Sequence, residues 1–305
     1  MSTLTCGLLQ IDPSGFSSAH DFQVSLTARI SSLAQTGARL IALPAYSVMI
    51  GPALELEARG RSPADPFDLA QLVEAHELSR WMDFFAATAL SNRAYICPGT
   101  FIIPCDGGFE HRAPVFSPDG DLIALQVQTH VSEAETQAGM VVGSDLAVVD
   151  VSGHKLGVAV GTDAWYPEVG RILALLGADT ILALTAVPAP YTVWRQTCGL
   201  WQIIQQNQVF GVEVSMGGSW LGTTYQGRSR VFGPVEMTPD GRGVLGEVAS
   251  TAIGGELTIP LDPADLEAAR RAFPIFEHFN IGIYETRLAD AYLVGHSARV
   301  SPDGR

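Results

Sequence analysis

Charge is scarce in this sequence, and positive charge most of all. Asp, Glu, Lys and Arg make up 16% of the 305 residues, with 18 Lys and Arg against 32 Asp and Glu, for a net charge of -14. A surplus of that sign repels phosphate backbones and anionic lipid headgroups, so neither nucleic acid nor a membrane surface is an expected partner. The four cysteines, Cys6, Cys97, Cys105 and Cys198, form no CxxC pair, and the seven His form no HxH or HExxH pair. Buried free thiols in a reducing compartment are expected, with no metal site and no cofactor. No apolar run reaches the roughly 18 residues that span a bilayer. The nearest, 169–188, is interrupted by Arg171 and Asp179. Residues 1–12 lack a basic segment ahead of an apolar one, which reads as a strand and not a signal peptide, and a cytoplasmic location is expected.

What is present is core material. Hydrophobic residues reach 47%, and with so little charge this predicts extensive burial, in a multilayer core or in contacts of a homo-oligomer, dimer or higher. Apolar periodicity and turn residues place strands at 4–11, 40–43, 94–103, 180–184 and 209–215, and helices at 19–37, 69–92, 167–176 and 193–207. Residues 60–68 read as a loop. Hairpins are expected at 113–127, turning at Pro118-Asp119-Gly120, and at 144–160, turning at Ser152-Gly153. A final helix starts at Asp262-Pro263, as N-cap and first helical position, and the tail after Phe273 is read as irregular. Gly241-Arg242-Gly243-Val244-Leu245-Gly246 fits GxGxxG, but it follows Pro-Asp-Gly and leads into a strand, so it is a hairpin and not a pyrophosphate cradle. The organisation is α/β, a single domain over 1–290 with a tail at 291–305.

Several blocks carry more. Leu40-Ile41-Ala42-Leu43-Pro44-Ala45-Tyr46 resembles the strand end at which nitrilases place Pro-Glu-Tyr. Val127-Gln128-Thr129-His130-Val131, with Glu135 following, resembles that family's block around its lysine. Leu156 to Arg171, containing Gly161-Thr162-Asp163-Ala164-Trp165-Tyr166-Pro167-Glu168, resembles its nucleophile strand and elbow. On these residues the chain resembles the nitrilase, or carbon–nitrogen hydrolase, superfamily. The resemblance implies a four-layer αββα sandwich of mixed sheets covered by helices.

It also implies a Glu–Lys–Cys triad at positions that here read Ala45, Gln128 and Gly161. Amide hydrolysis in that family needs a thiolate, a carboxylate base and a cation for the oxyanion, and none of these three residues supplies one. The expectation is therefore a pseudoenzyme, without amide or nitrile hydrolase activity, binding a small neutral ligand or serving as a structural or regulatory partner. The alternative is a carbon–nitrogen hydrolase-type enzyme using a non-standard site. Expected pocket residues are Tyr46, His130, Glu135, Thr162, Asp163, Trp165 and Trp194, with Trp220 a further aromatic neighbour and Cys198 a conceivable displaced nucleophile. His130 is read as a hydrogen-bonding structural residue, and Glu168 as a partner of Arg171 or a helix cap.

Overall fold

In the computed structural model, which describes residues 2–300 and side chains as far as residue 295, two mixed sheets stack face to face with helices outside both. The first sheet contains β1 (Leu4–Gln10), β2 (Leu40–Ala42), β3 (Tyr95–Cys97), β4 (Phe101–Cys105), β5 (Gly108–Phe116) and β6 (Leu122–Val127). The second contains β7 (Val148–Val151), β8 (His154–Val160), β9 (Thr180–Thr185) and β10 (Phe210–Ser215). After a small hairpin of β11 (Gly218–Trp220) and β12 (Thr223–Tyr225), β13 (Arg230–Phe232) and β14 (Val244–Glu247) extend the second sheet. Finally β15 (Gly255–Leu261) returns to pair with β1. Strands β1, β2 and β3 are parallel, as are β8, β9 and β10.

The layers follow from a period of two in strands buried on both faces. Leu4, Cys6, Leu8, Leu40 and Ala42 point between the sheets, against Leu156, Val158, Val160, Leu182, Leu184 and Val212. Their neighbours Leu9, Ile11 and Ile41 turn outward onto Phe22, Leu26, Ile30, Val48 and Phe85. Ala159, Ile181 and Ala183 turn the other way, onto Val169, Leu173, Leu200 and Ile204. Three apolar layers thus separate four structural ones, the αββα sandwich expected.

The first outer layer holds α1 (Ala19–Gln35), α2 (Ser47–Ala58), α3 (Pro66–Leu72) and α4 (Ala75–Asn92). The helix expected over 69–92 is two helices, broken where Val73 is extended and where Glu74 and Glu77 form a capping box. Helix α2 was not expected. Its residues Ser47 to Ala53 are all buried, and burial on every side erases the 3.6-residue period that would announce it. It meets α4 closely enough that a Cβ on Gly51 would overlap the Trp81 ring. The strand expected over 94–103 is likewise two strands, β3 and β4, separated at Gly99 with φ of +91°.

Beyond a short α5 (Glu133–Gln137), the second outer layer holds α6 (Pro167–Leu175), α7 (Val193–Gln196), a π turn (Thr197–Trp201) and α8 (Gln202–Asn207). The single helix expected over 193–207 is interrupted at Gly199, whose backbone is non-helical. The last helix of the domain, α9 (Pro263–Ala272), starts as read, with Asp262 accepting from the Ala264 N–H. The tail is not irregular: Ala289–Val300 is helical, and the Tyr292 hydroxyl donates to Glu168. Residues 301–305 of the expected tail lie outside the described residues. Glu168 does not pair with Arg171, which instead donates to the Gln206 carbonyl and lies over Phe276 and Phe279. Among the described residues no helix is long and apolar enough to cross a membrane.

One buried group makes stability pH-dependent. Glu213, on the β10 face opposite Val212 and Val214, is wholly buried, and neither carboxylate oxygen meets a hydrogen-bond partner among the described residues. Burial pushes its carboxyl up from 4.5 to about 7, against weaker opposing pulls from Gln196 and Arg230. Between those values the folded chain holds a proton that the unfolded chain has released, so stability falls as pH rises through that window. At about 1.4 kcal/mol per pH unit the loss is on the order of 3 kcal/mol. In Glu213→Gln, urea denaturation from pH 4.5 to 7.5 is expected to lose this slope. An unchanged slope would disprove the assignment.

Candidate active site

The parallel strands β2, β8 and β9 end at the same side of the molecule, and the segments leaving them wall a cavity of about 810 Å³. Ala45 and Tyr46 come from the end of β2, Gly161, Thr162 and Trp165 from the end of β8, and Thr185 to Pro188 from β9. A crevice beyond the carboxyl ends of parallel strands is where open α/β sheets place ligands. Pro66, Phe67, His111, Ser132, Ala134, Glu135, Arg195, Cys198, Thr223 and Tyr225 complete its lining.

Of the residues expected here, Tyr46, Glu135, Thr162 and Trp165 line the cavity together with Ala45 and Gly161, while Gln128 lies buried directly behind Gly161. Gly161 has φ of +55°, and a Cβ built on it would stand 3.4 Å from the Gln128 amide. A side chain at 161 thus meets room but also left-handed backbone, which costs an L residue roughly 1–2 kcal/mol. Asp163 is fully buried and does not reach the cavity. It accepts from the Thr129 and His130 backbone N–H groups and from the Thr129 hydroxyl, tying the chain after β6 to the turn after β8. His130 is outside it as well, stacked on Tyr166 with ring centroids 4.1 Å apart. Trp194 is 77% exposed on the molecular surface, because the short α7 turns it away while presenting Arg195. Trp220 packs behind Tyr46, ring centroids 5.7 Å apart.

The polar centre depends on a residue that the sequence reading passed over. His111 sits on β5 opposite Gln128, receives the Gln128 backbone N–H on its carbonyl, and stacks flat on Tyr46 with centroids 5.0 Å apart. A directional chain of hydrogen bonds runs through it. The Tyr46 N–H donates to the Thr100 hydroxyl at 2.8 Å, Thr100 bonds His111 Nε2, and His111 Nδ1 bonds Gln128 Oε1 at 2.6 Å. Gln128 Nε2 then donates to the Thr162 hydroxyl at 2.6 Å and to the His130 carbonyl at 2.8 Å, and approaches both Glu135 oxygens at 3.3 Å. Those acceptors require the amide nitrogen on that side, which makes Oε1 the acceptor toward His111 and places the imidazole proton on Nδ1. Burial pushes the His111 pKa down, consistent with a neutral ring held in one tautomer. The only sequence signal for His111 is its place on an alternating strand, which does not distinguish it from a core histidine.

The cavity is not stripped of charge. Burial pushes the Tyr46 hydroxyl up, with the Glu135 charge adding to it, and burial also raises Tyr225. Both phenols stay neutral. Glu135 and Arg195 are the two lining residues of formal charge among the described residues. Glu135 belongs to the capping box of α5, and its Oε2 accepts from the Ser132 N–H at 2.7 Å and the Ser132 hydroxyl at 2.8 Å. Its Oε1 receives only the long contact from Gln128. Cys198 is exposed in this cavity, whereas Cys6 and Cys97 are buried as expected and Cys105 is half-buried. Among the described residues no group of His, Cys, Asp and Glu is placed to hold a metal ion.

Residues 6–235 match the family model of carbon-nitrogen hydrolases. Over 169 residues the chain is 30% identical to an (R)-stereoselective amidase of Pseudomonas sp, covering 55% of this chain and 57% of that protein. Over 179 residues it is 25% identical to a probable nitrilase of Schizosaccharomyces pombe, covering 57% and 58%. The chain thus spans a little over half the length of these curated relatives. A carbon-nitrogen hydrolase from Helicobacter pylori G27 superposes with a TM-score of 0.74 at 20% identity over 93% of this chain and 97% of that one. A double mutant of the amidase from Nesterenkonia sp. AN1 in complex with acrylamide gives 0.71 at 20% identity, over 89% and 95%. These likenesses show the fold. The expectation of a pseudoenzyme is corrected by the named relatives, an amidase and a probable nitrilase. Its support was the identity of Ala45, Gln128 and Gly161; Glu135, expected in the pocket, lines the same cavity, and the hydrogen-bond chain through His111 lies beside it. This chain belongs to the carbon-nitrogen hydrolase family.

Proposed function

We propose that this protein is a carbon–nitrogen hydrolase-type enzyme whose site works through an activated water and not through a thiolate at position 161. The observation that carries the reading is the state of Glu135 in the cavity wall: Oε2 accepts twice from Ser132, while Oε1 receives only the long contact from Gln128 and has acceptor capacity to spare. Glu135 Oε1 takes a proton from water as the water oxygen attacks the carbonyl carbon of a bound amide. The C–N bond then breaks, and the leaving nitrogen takes that proton, giving a carboxylic acid and ammonia or an amine. Gln128 orients both Thr162 and Glu135, and the His111 ring fixes Gln128 from behind. With an amide instead of an ammonium at position 128, its N–H groups already given to Thr162 and the His130 carbonyl, the developing oxyanion meets no cation there, and turnover is expected to be slower than with one.

The test is ammonia or amine release from a panel of primary and N-substituted amides by the purified native chain, against a buffer control. Saturable turnover that survives Cys198→Ser supports the reading. Absence of turnover across the panel, or its loss in Cys198→Ser, overturns it.

A further inference from the structure

We infer that Arg195 forms an anion subsite in this cavity, so that the protein selects amides whose apolar body carries a carboxylate remote from the bond to be cleaved. The inference rests on the hydrolase reading for the cleaved bond, but the recognition it describes is separately measurable.

Arg195 is exposed at the cavity wall, and its guanidinium has no ion-pair or hydrogen-bond partner among the described residues. Its backbone is held firmly. The Thr192 hydroxyl accepts from the Arg195 N–H at 3.1 Å, and the Trp165 indole donates to the Arg195 carbonyl at 3.2 Å. The non-helical Gly199 beneath it lets the helix approach Trp165, where a Cβ would stand 3.1 Å from the indole. An unpaired guanidinium on a backbone fixed at the cavity wall, in a chain of net charge -14, is available for a ligand, and its planar fork matches a carboxylate.

The remaining walls determine what the carboxylate is attached to. Phe67, Trp165, Val187, Pro188 and Tyr225 are apolar or aromatic, and the volume suits an aryl or branched group. Glu135 repels an anion, so a ligand bearing one carboxylate is oriented with that group at Arg195 and its uncharged amide at Glu135. The expectation of a neutral ligand followed from Ala45, Gln128 and Gly161 together with the aromatic residues Tyr46, Trp165, Trp194 and Trp220, and did not include this cation.

4-(2-Acetamidoethyl)benzoate and N-acetylphenethylamine differ only in the ring carboxylate. Calorimetric titration into the Glu135→Gln chain, which leaves the probes intact, is expected to show the first bound roughly ten- to a hundredfold more tightly, the range for a hydrogen bond to a charged group. That preference is expected to vanish in the Glu135→Gln, Arg195→Gln double variant, to persist partly with Arg195→Lys, and to shrink with added salt. In the otherwise native enzyme, Arg195→Gln is expected to raise KM for the anionic probe with little change in kcat. Equal affinity for the two probes, or a preference indifferent to Arg195→Gln, overturns the subsite. If the anion binds through Arg195 but no amide is cleaved, the hydrolase reading fails and the subsite stands; cleavage without preference has the reverse meaning.

Discussion

Replacing Glu135 by Gln is expected to lower amide turnover by roughly 10²- to 10⁴-fold, the usual contribution of a positioned general base, while leaving the fold almost unchanged. The substitution is nearly isosteric, and the Gln carbonyl oxygen still accepts from the Ser132 N–H and hydroxyl that cap α5. What it removes is the carboxylate proton acceptor in the cavity wall. Glu135→Ala serves as a comparison: it loses the same base and also the capping box, and so is expected to cost about 1 kcal/mol of stability as well. Kinetics and thermal denaturation measured together separate the two effects. Turnover retained in Glu135→Gln at more than a tenth of the native rate would remove Glu135 from the mechanism.

Gly99→Ala is expected to be among the most destabilising single substitutions in the chain. Two independent costs meet there. With φ of +91°, Gly99 lies where an L side chain is strained, and a Cβ would stand 2.1 Å from the Pro44 carbonyl oxygen and 2.9 Å from Ser47. The obstruction is backbone, which cannot rotate aside. Relief requires moving Pro44, and with it Ala45 and Tyr46, the segment that walls the cavity and opens the hydrogen-bond chain through Thr100. Strain and overpacking of this kind cost about 1–3 kcal/mol each, so a loss of several kcal/mol is expected in urea denaturation. Any folded fraction is expected to show impaired turnover. A stability within 1 kcal/mol of native would mean that the β3–β4 turn adjusts freely and that the close approach to Pro44 does not constrain the site.

Much of the fold was legible because the physics involved is local. Apolar runs buried on both faces identified β1, β2, β9 and β10; Pro118-Asp119-Gly120 and Ser152-Gly153 identified the hairpins; Asp262 and Pro263 marked the start of α9. Elements escaped where burial or tertiary strain overrode the local pattern. Helix α2 has no apolar period because every side is covered, and the break at Gly99 exists because the chain must pass over Pro44.

The site divides in the same way. The sequence by itself determined that Ala45, Gln128 and Gly161 stand within family motifs and that Tyr46, Glu135, Thr162 and Trp165 accompany them, since each lies a fixed few residues from a strand end. Only the tertiary structure decided that His111 stands behind Gln128, that Arg195 and Cys198 face the cavity while Trp194 turns outward, and that Asp163 is a tie between segments and not a pocket wall. Those placements depend on which strand pairs with which and on a π turn at Gly199, contacts between segments distant in sequence whose energies no local window contains.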